Sequence, residues 1–157
     1  MRSTYSPCLP TAGKVVPATS HWLHEVKYDG YRPIVAREES RVRLFTRNRH
    51  DWSGRFPWIV ESALRNRHTQ FVIDGEAVLL TLDGISDFNG LHSRRQDEAV
   101  QLYAFDIMAL DGEDDLRALP LSMRKTNQVS SWVRRRPYST VEYRVQHAGS
   151  TLRATLL

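Results

Sequence analysis

Nine consecutive residues, His24-Glu25-Val26-Lys27-Tyr28-Asp29-Gly30-Tyr31-Arg32, gather a lysine, two carboxylates, a glycine turn and an arginine. A lysine attacks an electrophile only as the free amine, and desolvation or a neighbouring cation can remove its proton. Arg32, five residues on, is the obvious nearby cation. Trp22 and Val26 alternate with Leu23, Glu25 and Lys27, the pattern of a half-buried strand, and Asp29-Gly30 is a turn signal that ends it. Lys27 then sits at a strand end, where its side chain can face a pocket, with Glu25 two residues earlier on the same face. Taken alone, this stretch fits a hairpin with a solvated Lys27 and Arg32 equally well.

The block resembles the first motif, K-x-D-G-x-R, of the nucleotidyltransferases that attach AMP or GMP to a lysine, a group that includes ATP-dependent DNA ligases, RNA ligases and mRNA capping enzymes. The run from Pro10 through Trp22 into Lys27 is similar to the bacterial ATP-dependent DNA ligases of the end-joining type. Further blocks follow in family order. Leu44-Phe45-Thr46-Arg47-Asn48-Arg49 resembles the second, whose arginine, here Arg47, contacts nucleotide or DNA phosphate. Asp74-Gly75-Glu76 resembles the third, in which the glutamate meets the ribose or assists the metal. Tyr103-Ala104-Phe105-Asp106-Ile107 resembles the next, where the aromatic, here Phe105, packs on adenine. Leu121-Ser122-Met123-Arg124-Lys125 is similar to the short helix start that follows, and residues 88–95 are also family-typical. Such ordered co-occurrence from Pro10 to Asn127 is far more specific than any one match.

The resemblance implies a mechanism. Neutral Lys27 attacks the α-phosphate of ATP, pyrophosphate leaves, and a lysyl adenylate remains. The AMP then passes to the 5′-phosphate of a nick in double-stranded DNA, where the 3′-hydroxyl displaces it. It also implies that Glu25, Arg32, Arg47, Glu76 and Phe105 hold the nucleotide and that Glu76 serves Mg2+. These residue types suit those tasks, since arginine forks match phosphate or ribose oxygens. An acid beside a buried strand needs a partner such as magnesium or ribose hydroxyls. The bland alternatives are solvated charges for Arg32 and Arg47, strand acids for Glu25 and Glu76, and a core aromatic for Phe105. Replacing Arg32 or Glu76 by Ala is expected to weaken ATP binding and leave the fold intact. An RNA ligase or capping-type transferase shares the lysine motif, and a non-catalytic nucleic-acid-binding remnant would keep the fold without the chemistry.

The elements that must position these residues follow from periodicity. Residues 1–20, with Pro7, Pro10, Gly13 and Pro17, form an extended arm across the core surface. Residues 34–36 and 42–46 continue the first strand as an antiparallel meander of three. Phe56, Ile59, Val60, Ala63 and Leu64 have the spacing of an amphipathic helix with Pro57 in its first turn. Residues 71–81 form one buried strand carrying Asp74 and Glu76, and 86–95 a short helix. The longest apolar run, 101–110, is a central strand closed by Asp111-Gly112. Ser122 caps a helix running towards Arg134, which Pro137 ends.

With 157 residues the chain suffices for one core, and the fold class is α+β: antiparallel sheets packed with helices, as in an adenylation domain incomplete at its C-terminus. Residues 1–20 are the arm, 21–128 a partial adenylation domain and 129–157 a divergent tail. The 22 Lys and Arg against 18 Asp and Glu suit a polyanionic partner such as DNA. The single Cys8 excludes an internal disulfide and reads as an inert thiol, and the six histidines have no metal-type spacing. No apolar run approaches membrane-spanning length, so a cytoplasmic protein is expected. The family's E-G-x-V-x-K and K-x-K blocks are absent from this sequence, as is the small β-barrel domain that usually follows. Hence slow or absent self-adenylation is expected, along with self-association through an uncovered sheet edge. The abrupt end of the resemblance after Asn127 suggests a truncated or frame-shifted ligase product, with a genuinely short family member as the alternative.

Overall fold

The computed structural model describes residues 5–9, 11–15, 24–112, 114–132, 143–147 and 150–154. Its main body is a five-stranded antiparallel sheet. In chain order the strands are β1 (His24–Glu25), β2 (Pro33–Glu38), β3 (Arg41–Thr46), β4 (Gln70–Val78), β5 (Gln101–Leu110), β6 (Asp114–Asp115), β7 (Tyr143–His147) and β8 (Ser150–Ala154). The helices are α1 (Pro57–Leu64), α2 (Phe88–Ser93) and α3 (Leu121–Trp132). The large sheet has the order β3-β2-β4-β5-β6, and β1, β7 and β8 form a second, three-stranded sheet. The fold is thus α+β with antiparallel pairing throughout.

The expected three-strand meander is corrected by this order. β1 pairs not with β2 but with β7, with His24 opposite Gln146 and Glu25 opposite Val145. Alternation specifies which face a strand buries but not which strand lies beside it. The strand around Lys27 is also shorter than its alternation suggests, because regular pairing covers His24–Glu25 and Lys27 lies two residues beyond it in a loop. Trp22 and Leu23, the continuation of α3 towards Arg134 and the stop at Pro137 lie outside the described residues. α3 starts at Leu121, directly after Pro120, one position before the expected Ser122 cap.

One face of the large sheet carries the core. Val35, Leu44, Ile73, Ala77 and Ile107 pack against Phe56, Ile59 and Ala63 of the α1 region and Leu91 of α2. Burying the Val, Leu, Ile and Phe side chains among these stabilises by about 1.5–3 kcal/mol each. α1 is tied to the sheet by buried Arg37 of β2. Its guanidinium donates to the carbonyls of Ala63 and Asn66 at the helix end, where orphan acceptors gather. The opposite face is smaller: Ile34, Val72, Met108 and Ala109, covered by Tyr5 of the N-terminal arm. Arg117 stacks on the Tyr5 ring at 4.6 Å and fastens the arm there.

Candidate active site

The loop that carries Lys27 is held at both ends. Tyr31 and Ala77 exchange backbone hydrogen bonds of 3.0 and 2.7 Å, which clamps the loop's exit onto β4. This brings Gly30 so close to β4 that a Cβ there would collide with the Ala77 carbonyl oxygen. The close approach is why the position needs glycine. Asp29 N–H donates to Ser86 Oγ at 3.2 Å, tying the loop to the segment before α2. Tyr31 meets Trp52 edge-on at 5.0 Å and Phe88 at 5.4 Å. Arg32 lies instead beside Asp74 and Phe105.

The loop borders a cavity of about 740 Å³ whose lining includes Glu25, Lys27, Arg32, Arg47, Glu76 and Phe105. All six residues singled out from the sequence therefore surround one space, although they come from four separate segments, 25–32 and the neighbourhoods of Arg47, Glu76 and Phe105. Glu25 ends β1, Arg32 precedes β2, Arg47 follows β3, Glu76 lies near the end of β4 and Phe105 at the middle of β5. Cys8 and Leu9 of the N-terminal arm also border it, so the thiol read as a bystander is an exposed part of the cavity wall.

The electrostatics revise one expectation. Arg32 is committed to Asp74, donating from Nε at 2.9 Å and Nη2 at 2.7 Å, and so is not a free cation poised to strip a proton from Lys27. Lys27 pairs instead with Asp29 at 2.7 Å, its side chain 84% exposed. The hydrogen bond to Asp29 and that residue's charge hold the Lys27 amine above its ordinary range, so the resting group is an ammonium. Arg47 is exposed and makes no ion pair among the described residues.

Two carboxylates sit unusually high. Burial pushes the Asp74 carboxyl up, and the Arg32 guanidinium offsets this only in part. Burial likewise pushes Glu76 to about 7, against the pull of Arg32 and Lys27 and with some help from Asp74. A half-buried acid at that value beside a lysine and an arginine is the kind of group that binding sites gather. Such a carboxylate gains from any further cation or hydroxyl donor entering the cavity. Together with phosphate oxygens it would suit Mg2+, an ion usually held by one or two protein carboxylates plus substrate phosphates.

Several contributors escaped the sequence reading. Asp106 clasps Arg124 at 2.8 and 3.0 Å, Tyr28 stacks on Tyr103 at 4.2 Å, and Lys125 is buried within reach of Glu25. The residues appear in the sequence blocks, but their pairings are long-range. Arg124 and Lys125 carried only the look of a helix start. Arg32 also stacks over the Phe105 ring at 4.9 Å, so that ring has a cation on its face and is not plain core.

The family model for the ATP dependent DNA ligase domain matches residues 11–151. That match continues past Asn127, where block-by-block resemblance ends. The multifunctional non-homologous end joining protein LigD of Mycolicibacterium smegmatis is 33% identical over 122 residues, 77% of this chain and 16% of that protein. A DNA ligase of Natronomonas pharaonis is 35% identical over 130 residues, 74% of this chain and 24% of that protein. A mycobacterial DNA ligase D complexed with ATP and MES superposes with a TM-score of 0.72 at 29% identity, covering 83% of this chain and 43% of that one. The chain thus spans a quarter or less of the length of these two curated relatives.

Proposed function

Because the chain belongs to the family of ATP-dependent DNA ligase domains, we propose that it takes AMP from ATP onto Lys27 and serves the sealing of nicked double-stranded DNA in repair by end joining. The observation that carries this is the single cavity bordered by Lys27 and the five other residues of the family blocks.

In this scheme the exposed Lys27 ammonium first gives up its proton to solvent. The free amine attacks the α-phosphorus of ATP, a phosphorus–nitrogen bond forms, and the bond to the pyrophosphate oxygen breaks with its electron pair leaving on pyrophosphate. Glu25 accepts from the amino group of the base and Phe105 stacks on it. Arg47 and the uncommitted nitrogen of Arg32 meet phosphate or ribose oxygens, and Glu76 meets the ribose hydroxyls or the metal. Mg2+, held by Glu76 and the phosphates, would supply neutralisation of phosphate charge.

Lys27 must leave Asp29 to act, so slow adenylation is part of the proposal. The relatives' names favour DNA over RNA as the strand joined. Among the described residues no helix is long and apolar enough to cross a membrane, and a cytoplasmic site of action is part of the same reading. The edges of both sheets offer a route to self-association.

Intact-mass measurement after incubation with ATP and Mg2+ tests the proposal. An added AMP on the unsubstituted chain, absent from Lys27→Ala, is expected. No adduct on either chain would leave the non-catalytic nucleic-acid-binding alternative. Offering nicked DNA and nicked RNA to the adenylated chain then separates a DNA ligase from an RNA ligase or capping-type enzyme.

A further inference from the structure

One buried amine joins the two residues to which base recognition is assigned above. The Lys125 side chain is 7% exposed. Its ammonium donates both to the Glu25 carboxylate and to the backbone carbonyl of Phe105. Its Nζ also lies 6.0 Å from the centre of the Phe105 ring. These contacts draw together the end of β1, the middle of β5 and the N-terminal half of α3.

Glu25 needs such a partner. β1 is two residues long, and among the described residues its one strand neighbour is β7. The Glu25 side chain is 36% exposed, so nothing in its own strand fixes where the carboxylate points. Lys125, by contrast, is anchored on a helix that packs beside β5. The helix's next-door residue, Arg124, is itself held by Asp106 and by the Leu119 carbonyl. A buried ammonium on a fixed helix can therefore set the position of an acid on a loosely held strand end.

We propose that Lys125 is a positioning residue that gives the cavity its choice of purine, by pinning Glu25 and Phe105 so that a 6-amino base is accepted over a 6-oxo base. The inference rests on the nucleotide reading given above. A carboxylate engaged by an ammonium offers only lone pairs to the cavity. An exocyclic amino group donates to them, whereas a 6-oxo group meets them lone pair to lone pair. Specificity of this kind comes from leaving a polar group unpaired with the wrong ligand. A carboxylate that swings freely into solvent loses that leverage, because it can turn away from the wrong base at little cost.

The test compares ATP, GTP and inorganic tripolyphosphate binding to the 157-residue chain and its variants, with a thermal melt of each. The unsubstituted chain is expected to prefer ATP. Lys125→Met keeps the aliphatic stem and removes the charge, and should shrink the ATP-to-GTP preference about tenfold by weakening ATP. Tripolyphosphate binding should stay unchanged, and Lys125→Arg should recover most of the preference. A K125M chain that keeps the preference, or that weakens all three ligands alike, would overturn the proposal. Should K125M fail to fold, the substitution is made in Glu25→Gln, where no carboxylate is left uncompensated. Lys125 acts through Glu25, so there K125M should leave the ATP-to-GTP ratio where E25Q alone puts it, and a further change would overturn the proposal. Absence of any ATP preference in the unsubstituted chain would bring down the nucleotide reading, and this inference with it. A preference that survives K125M brings down this inference alone.

Discussion

Asp74 and Asp106 are direct register partners across β4 and β5, and each is clasped by its own arginine, Arg32 for the first and Arg124 for the second. Like charges on neighbouring strands repel, and Asp106 adds to the upward push on the Asp74 carboxyl. Arg32 is therefore a structural counter-ion as well as a candidate phosphate ligand. This changes the expectation that Arg32→Ala leaves the fold intact. Removing one partner of a buried pair leaves an uncompensated charge and costs about 3–5 kcal/mol. Urea unfolding should register that loss for R32A, and R32A/D74A should recover a large part of it.

Glu76 makes the chain's stability depend on pH. Its folded-state value is raised from 4.5 to about 7 by burial, so the folded state holds the proton more tightly than the unfolded one. The stabilisation is complete below pH 4.5 and is lost as pH rises through 7. Glu76→Gln cannot ionise, so it should melt a few degrees higher than the unsubstituted chain at pH 8 and close to it at pH 4.5. Equal melting differences at the two pH values would show that the Glu76 carboxylate is not desolvated. Asp74 is raised in the same direction but is present in both chains and cancels in the comparison.

On the proposed reading, the Lys27–Asp29 pair bears on the rate of adenylation. The hydrogen bond that Lys27 donates to Asp29 holds the amine's proton, so the reactive free amine is scarce at neutral pH. Asp29→Asn removes the charge and should move the rise of the AMP-labelling rate to lower pH. Mass-spectrometric time courses between pH 6 and 9 would reveal it. An unmoved profile would mean that Lys27 leaves Asp29 before the rate-limiting step.

Gly30→Ala places a methyl group against the Ala77 carbonyl and forces the loop off β4. A cost of about 1–3 kcal/mol is expected from such overpacking, with loss of the Tyr31–Ala77 backbone pair. Amide exchange at Tyr31 and Ala77 should quicken in the variant while the β2–β3 pairing stays protected.

Self-association can be read by sedimentation. Residues 50–53 bond to the outer edge of β3, but among the described residues β6 at one end of the large sheet and β1 and β8 at the ends of the small one have no neighbouring strand on their outer side. A dimer at high concentration is expected, and a stable monomer there would remove the idea.

How far the sequence discloses this arrangement varies with the range of the interaction. The 101–110 run and the spacing of Ile59 and Ala63 foretell β5 and α1, because burial is written into local apolar pattern. The six candidate residues could be named because family blocks mark them. What the sequence hides is pairing over distance. Glu25 finds Lys125 across 100 positions and Arg32 finds Asp74 across 42, and no local pattern marks either bond. The same blindness put β1 beside β2, when its hydrogen-bonding partner is made far downstream.

That partnership between β1 and β7 also sets a timetable. Val145 is synthesised 120 residues after its partner Glu25. At about 5–20 residues per second, roughly 6–24 s separate the two. The hairpins from Pro33 to Leu110 can fold as they emerge, since each strand's neighbour is near in the chain. Glu25 waits for a strand that does not yet exist. A nascent chain would then carry its lysine, arginines and sheet before the Glu25 edge of the cavity is in place, and on the proposed reading nucleotide selection would be the last property it acquires.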